Sequence, residues 1–88
     1  MRVTEDFIVR EIAGEHILIP VGETAMKIHG MINLSESGHI LWEKLQTECS
    51  VDDLVAAILA EYDIDEETAR ADVNEFLNKL KAIGILEA

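Results

Sequence analysis

FIVREIAGEHILIP, residues 7–20, is the stretch on which the fold turns. Two β-branched runs, Phe7 to Ile12 and His16 to Pro20, flank the short link Ala13-Gly14-Glu15. Gly14 can take a positive φ at no steric cost, so the link reads as a turn and the pair as a β-hairpin. Pro20 has no N–H for a ladder and ends the second strand. A loop over Val21 to Ala25 is expected next, then a third extended segment from Met26 to about Leu34. Gly30 inside that segment marks a bulge or a close approach by another backbone. In a three-stranded meander this third segment is an edge, with unpaired N–H and C=O groups.

After Leu34 the periodicity becomes helical. Ser35 is positioned as the N-cap of a first helix ending near Thr47, with Ile40, Leu41 and Leu45 on its apolar face and Trp42 beside them. Ser50, with Asp53 three residues on, resembles a capping box. Behind it, Val51, Leu54, Val55, Ile58, Leu59 and Tyr62 form a buried stripe. Asp65 caps a third helix, whose stripe is Ala69, Val73, Phe76, Leu77, Leu80 and Ile83. Gly84 is its expected stop, with Ile85 and Leu86 folding back on the last turn. Trp42 and Phe76 are assigned to the core. Strands followed by helices, in the order βββααα, indicate an α+β fold in one domain spanning residues 1–88.

The chain is short, at 88 residues, so its core is thin. It carries 7 basic and 18 acidic side chains, for a net charge of −11. The acid is concentrated late: residues 1–34 carry 3 basic and 5 acidic groups, residues 35–88 carry 4 and 13. Such a balance repels a phosphate backbone and an anionic lipid surface, which argues against nucleic-acid and membrane partners. No apolar run approaches the ~18 residues of a membrane span, and the opening MRVTEDFIVR has no signal-peptide core. The single cysteine, Cys49, fits a reducing, cytoplasmic setting.

No catalytic or metal-binding constellation is legible. His16, His29 and His39 fall in different elements, and none pairs with Cys49 at zinc-finger spacing. Glu36 and His39 form one Glu-x-x-His, the half-motif of a di-iron site that requires two. The glycines are isolated turn or cap residues rather than a phosphate loop. The acid pairs Asp52/Asp53 and Glu66/Glu67 sit in first helical turns, where they suit the helix dipole. The chain is therefore expected to be no enzyme and to need no cofactor.

Two features point instead to a peptide. One is the third extended segment, an edge on which a foreign strand can pair. The other is one rim of the third helix, where Leu77, Arg70, Lys81 and Asn74 fall within roughly 60° of one another. Cations beside an apolar stripe suit an acidic, amphipathic peptide.

The same residues carry a resemblance. Val9 to Gly22, VREIAGEHILIPVG, is similar to the opening of many PqqD-like proteins. So are GMINLSESGHILW, Gly30 to Trp42, and the tail with Tyr62-Asp63-Ile64, Ala71-Asp72-Val73, Phe76-Leu77, Leu80 and Gly84-Ile85-Leu86. The likeness runs from about residue 5 to residue 87. The family is named for a protein of pyrroloquinoline quinone (PQQ) biosynthesis and resembles the recognition element for precursors of ribosomally made, later modified peptides (RiPPs).

The resemblance implies a winged-helix-like domain that acts as a peptide chaperone and not a catalyst. It implies that a precursor's leader peptide adds as a strand to the third strand, in the groove beside the third helix. The leader is then presented to a modifying enzyme, often a radical S-adenosylmethionine (SAM) protein. Carried onto this chain, the leader lies against Lys27, Ile28, His29, Gly30, Met31 and Ile32, with Arg70, Val73, Asn74, Leu77 and Lys81 facing it. An open edge over a thin core also permits a strand-swapped homodimer.

Two other readings compete. A winged-helix DNA-binding regulator would share the architecture, but its recognition helix should be basic. Here Asp65 to Gly84 holds five acids and three bases. An acyl-carrier protein would share the acidity, but it is all-helical and carries an Asp-Ser-Leu attachment site that this chain lacks. A gel-shift assay at low salt is therefore expected to show no retention of duplex DNA; a salt-sensitive shift would restore the regulator.

Overall fold

Alternating apolar residues build the hairpin as expected. The computed structural model describes residues 1–3, 7–27 and 32–87. Strands β2 (Phe7–Ile12) and β3 (Glu15–Pro20) pair antiparallel from Phe7↔Pro20 to Ile12↔Glu15, following a short N-terminal strand β1 (Arg2–Val3). The two-residue link has positive φ at both positions, 53° at Ala13 and 82° at Gly14. That is the turn whose twist matches a hairpin, and it places a non-glycine residue in the left-handed region.

The next stretch departs from expectation. Residues Thr24–Lys27 form one helical turn, α1, rather than a loop running into a strand. Ala25 and Met26 donate their N–H groups to the Gly22 and Glu23 carbonyls. Glu, Ala, Met and Lys are good helix formers, and Met26, 79% exposed, gains nothing from a strand position. The expected extended segment thus does not begin at Met26. Its residues 28–31 lie outside those described, and it appears as β4 (Ile32–Leu34). Strand β4 pairs antiparallel with β3 through His16↔Leu34, Ile17↔Asn33 and Leu18↔Ile32. The sheet order is β2-β3-β4.

Three helices cover one face: α2 (Glu36–Lys44), α3 (Val51–Glu61) and α4 (Glu66–Ile83). Each starts at the anticipated cap. The Ser35 hydroxyl accepts from the Gly38 N–H, and the Asp65 carboxylate accepts from the Thr68 N–H. Ser50 and Asp53 complete a reciprocal capping box. Accepted hydrogen bonds hold the Asp53 and Asp65 carboxyls below the ordinary range. Their capping is thus complete above the unfolded carboxylate range and fades as pH falls through the lowered values.

Helix α4 ends in a Schellman motif. Gly84, at φ 87°, donates to the Lys81 carbonyl, and Ile85 donates to that of Leu80. A last strand, β5 (Leu86–Glu87), pairs with β1 through Arg2↔Glu87 and Val3↔Leu86. The core gathers Leu18 and Leu34 from the sheet, Leu41, Trp42 and Leu45 around α2, Leu54 and Ile58 from α3, and Val73 and Leu80 from α4. Trp42 meets Phe7 edge to face, with ring centroids 6.1 Å apart.

Ala13→Gly should raise stability by about 1 kcal/mol, because glycine removes the steric cost of a positive φ at the hairpin turn. Urea unfolding with an unchanged slope measures it, and a loss of stability would contradict the turn geometry.

Candidate functional site

Within the sheet, β4 has one strand neighbour among the described residues, β3. Its other side offers backbone donors and acceptors. Ile32 and Leu34 point to the helix layer, where Leu34 is buried and Ile32 packs partly buried against the core. Asn33 is exposed on the opposite face.

One flank of α4, that of Phe76, reaches the space around Gly38. A Cβ placed on Gly38 would lie 3.3 Å from the Phe76 ring and 3.7 Å from a Leu34 methyl. Phe76 of α4 and Leu34 of β4 therefore both reach the space beside Gly38. The absence of a side chain at Gly38 is what lets the ring, the strand and α2 approach so closely.

Arg70 lies about 120° round the helix from Phe76. Its guanidinium donates to Asp52 of α3 at 3.0 Å and to Glu66 at 3.2 Å. Those two hydrogen-bonded carboxylates raise its pKa. Arg70 thus ties α4 to α3. Asn74 and Lys81 are exposed on the same side of α4 as Arg70. Val73 and Leu77, at 0% and 4% exposure, belong to the core and offer no surface. Lys27 closes α1 instead of continuing a strand. Ile28, His29, Gly30 and Met31 fall outside the described residues. Of the anticipated residues that are described, Ile32 is the one in β4.

Two small cavities adjoin this flank. One, about 280 Å³, lies among Ser35, Glu36, Ser37, Ile58, Tyr62, Ile64 and Asp72. The other, about 220 Å³, shares Ser35, Ser37, Ile58 and Asp72 and adds Leu41, Glu75, Phe76 and Lys79. A broader cleft of about 730 Å³ runs between α2 and α3, remote from β4 and rimmed by charge. Cys49 lines it, and burial pushes its thiol pKa up, away from the reactive thiolate. Elsewhere, His16 of β3 and His39 of α2 stack at 3.8 Å, joining sheet to helix. Among the described residues, no group of three or more His, Cys, Asp or Glu side chains is arranged to hold a metal ion. No helix among them is long and apolar enough to cross a membrane.

Phe76, expected in the core, is half-buried and packs against it, while Asp72, Glu75 and Lys79, which are not among the expected site residues, line the cavities beside it. The stripe has two flanks, and helical spacing alone does not say which one meets the edge strand.

Known proteins share this fold. Residues 15–86 match the family described as Coenzyme PQQ synthesis protein D (PqqD). A solved structure of TbiB1 in complex with the TbiA(beta) leader peptide is similar at 25% identity, with a TM-score of 0.78, over 100% of this chain and 96% of that one. A lasso peptide synthetase B1 complexed with the leader peptide shares the fold at 16% identity, with a TM-score of 0.75, over 99% of this chain and 96% of that one. No curated protein matches the chain in sequence.

Gly38→Ala is expected to leave stability within about 1 kcal/mol, since the gain in helix propensity offsets the crowding of Phe76 and Ser35. Amide shifts should nevertheless move at Leu34, Ser35 and Phe76. Shifts confined to α2 would contradict the close approach.

Proposed function

The chain belongs to the PqqD family, and from that premise we propose that it is a non-catalytic peptide chaperone for a RiPP precursor. The leader of the precursor adds as a strand to the open side of β4, along the segment that includes Ile32. The flank of α4 that carries Phe76 borders it. The chaperone then presents the leader to a modifying enzyme, of the radical SAM class in this reading, within the cytoplasm.

The observation that carries the reading is the position of β4. Among the described residues it is an outer strand, with Leu34 buried in the core, Ile32 packed against it, and Phe76 of α4 reaching the space beside Gly38 at its end. Main-chain pairing on such an edge tolerates many sequences, while pockets at alternate side chains supply selectivity. Tethering the precursor in this way raises its local concentration at the enzyme to the order of millimolar. The leader-bound relatives support the same reading. Neither a cofactor nor a reactive side chain has a part in it.

An isotope-labelled sample titrated with the precursor peptide encoded beside this chain's gene should show saturable amide shifts at Ile32–Leu34 and around Phe76, with β2 unmoved. N-methylation of the leader at alternate residues should weaken binding about tenfold or more in one register and little in the other, because one set of N–H groups pairs with the edge. Shifts spread evenly, or confined to β2, would overturn strand addition at β4.

A further inference from the structure

We propose that the groove beside β4 ends in a selectivity pocket that takes one apolar side chain of the bound peptide, with a lysine or arginine next to it. The proposal rests on the peptide-binding reading above and names the chemistry of the peptide. Continuity comes first. Ser35 directly follows Leu34, the last residue of β4, and lines both small cavities. Phe76, which shares the space beside Gly38 with Leu34, also lines the second cavity. The two cavities therefore begin where β4 ends.

The lining explains the apolar residue. Ile58 forms a buried floor, and Ile64 stands 37% exposed at the side. Tyr62 and Phe76 are half-buried. Cavities of about 280 and 220 Å³ are below the ~300–1,000 Å³ of sites for whole small molecules, and they suit a single side chain. Filling them would cover an isoleucine and an aromatic face that the chain leaves open to water.

The rim explains the base. Glu36, Asp72 and Glu75 are exposed carboxylates around the two cavities. The one cation among the lining residues, Lys79, lies 3.8 Å from Glu75, which leaves a net of two negative charges. The start of α2 contributes only about half a positive charge and does not reverse this. Burial, and then the fields of Glu36 and Glu61, raise the Tyr62 phenol, so negative potential reaches the pocket side chains. Arg70 and Lys81, the cations expected beside an acidic peptide, do not line these cavities, and Arg70 is paired with Asp52 and Glu66. Charge complementarity at the groove's end thus favours a basic residue.

A display library of random-sequence linear peptides, panned on the full chain, tests the pocket. Peptides whose binding shifts the Ile32–Leu34 amides should be enriched in Lys or Arg beside a large apolar residue. The doubly neutralised variant Glu36→Gln, Asp72→Asn should still select edge-binding peptides, but without that basic preference. It should bind the original peptides roughly two- to fivefold more weakly at low salt, and the difference should vanish at high salt. Both sites are exposed, and circular dichroism checks the fold; Asp72→Lys alone, which should select acidic residues instead, is the second variant. Identical selections from parent and variants would overturn the pocket while leaving strand addition intact. Failure to select any peptide that shifts β4 would overturn the reading beneath it. Concentration-dependent self-association that protects Tyr62 and Ile64 without peptide would assign the pocket to a second copy of this chain and overturn the proposal.

Discussion

Everything at the site depends on how a strand of three residues is held in place. So short a strand has little pairing energy of its own. It is secured by burial of its alternate side chains. Leu34 enters the helix-side core and Ile32 packs against its border, opposite the fully buried Leu18 on β3. Burying a leucine stabilises by about 1.5–3 kcal/mol, enough to hold the strand against fraying. The inward side is thereby committed to the fold, and the open backbone edge is left in a defined place. Strand addition needs just that combination.

The rest of the molecule supports this layer from behind. The chain ends are drawn together by β1 and β5, and the Val3 N–H donates to the Leu45 carbonyl at the end of α2. The Met1 amine pairs with Glu48 and donates to the Cys49 carbonyl at 2.8 Å. The Schellman turn brings Ile85, 2% exposed, onto the same core as Val3. These links close the helical layer of a small domain whose apolar interior alone is modest. Charge is sorted as well. Acids start the helices, where the dipole favours them, and Arg70 ties the first turns of α3 and α4 together through Asp52 and Glu66.

Much of this was legible in the residues because its causes are local. Ser35, Ser50 and Asp65 cap the helices they were expected to cap, and Gly84 ends the last one. The hairpin follows from alternation around Ala13-Gly14. What was missed depends on distant contacts. The two-residue strands β1 and β5 are too short to show a period, and they pair only because the chain ends meet. The helical turn at Thr24–Lys27 falls where a loop passing into an extended segment is expected, since helix formers in so short a run give no stripe.

The groove separates the two kinds of information most clearly. Spacing along the chain determined the α+β order, the capped helices and the apolar stripe of α4, because hydrogen bonding within a turn and side-chain periodicity are settled within a few residues. It could not say which rim of that stripe would stand beside β4. Cations on one rim suggested an acidic peptide; in the fold Arg70 pairs with Asp52, and Phe76 and Leu34 come to the same space beside Gly38. Only tertiary packing decided this, because the rotation of a helix about its axis is fixed by everything it buries at once.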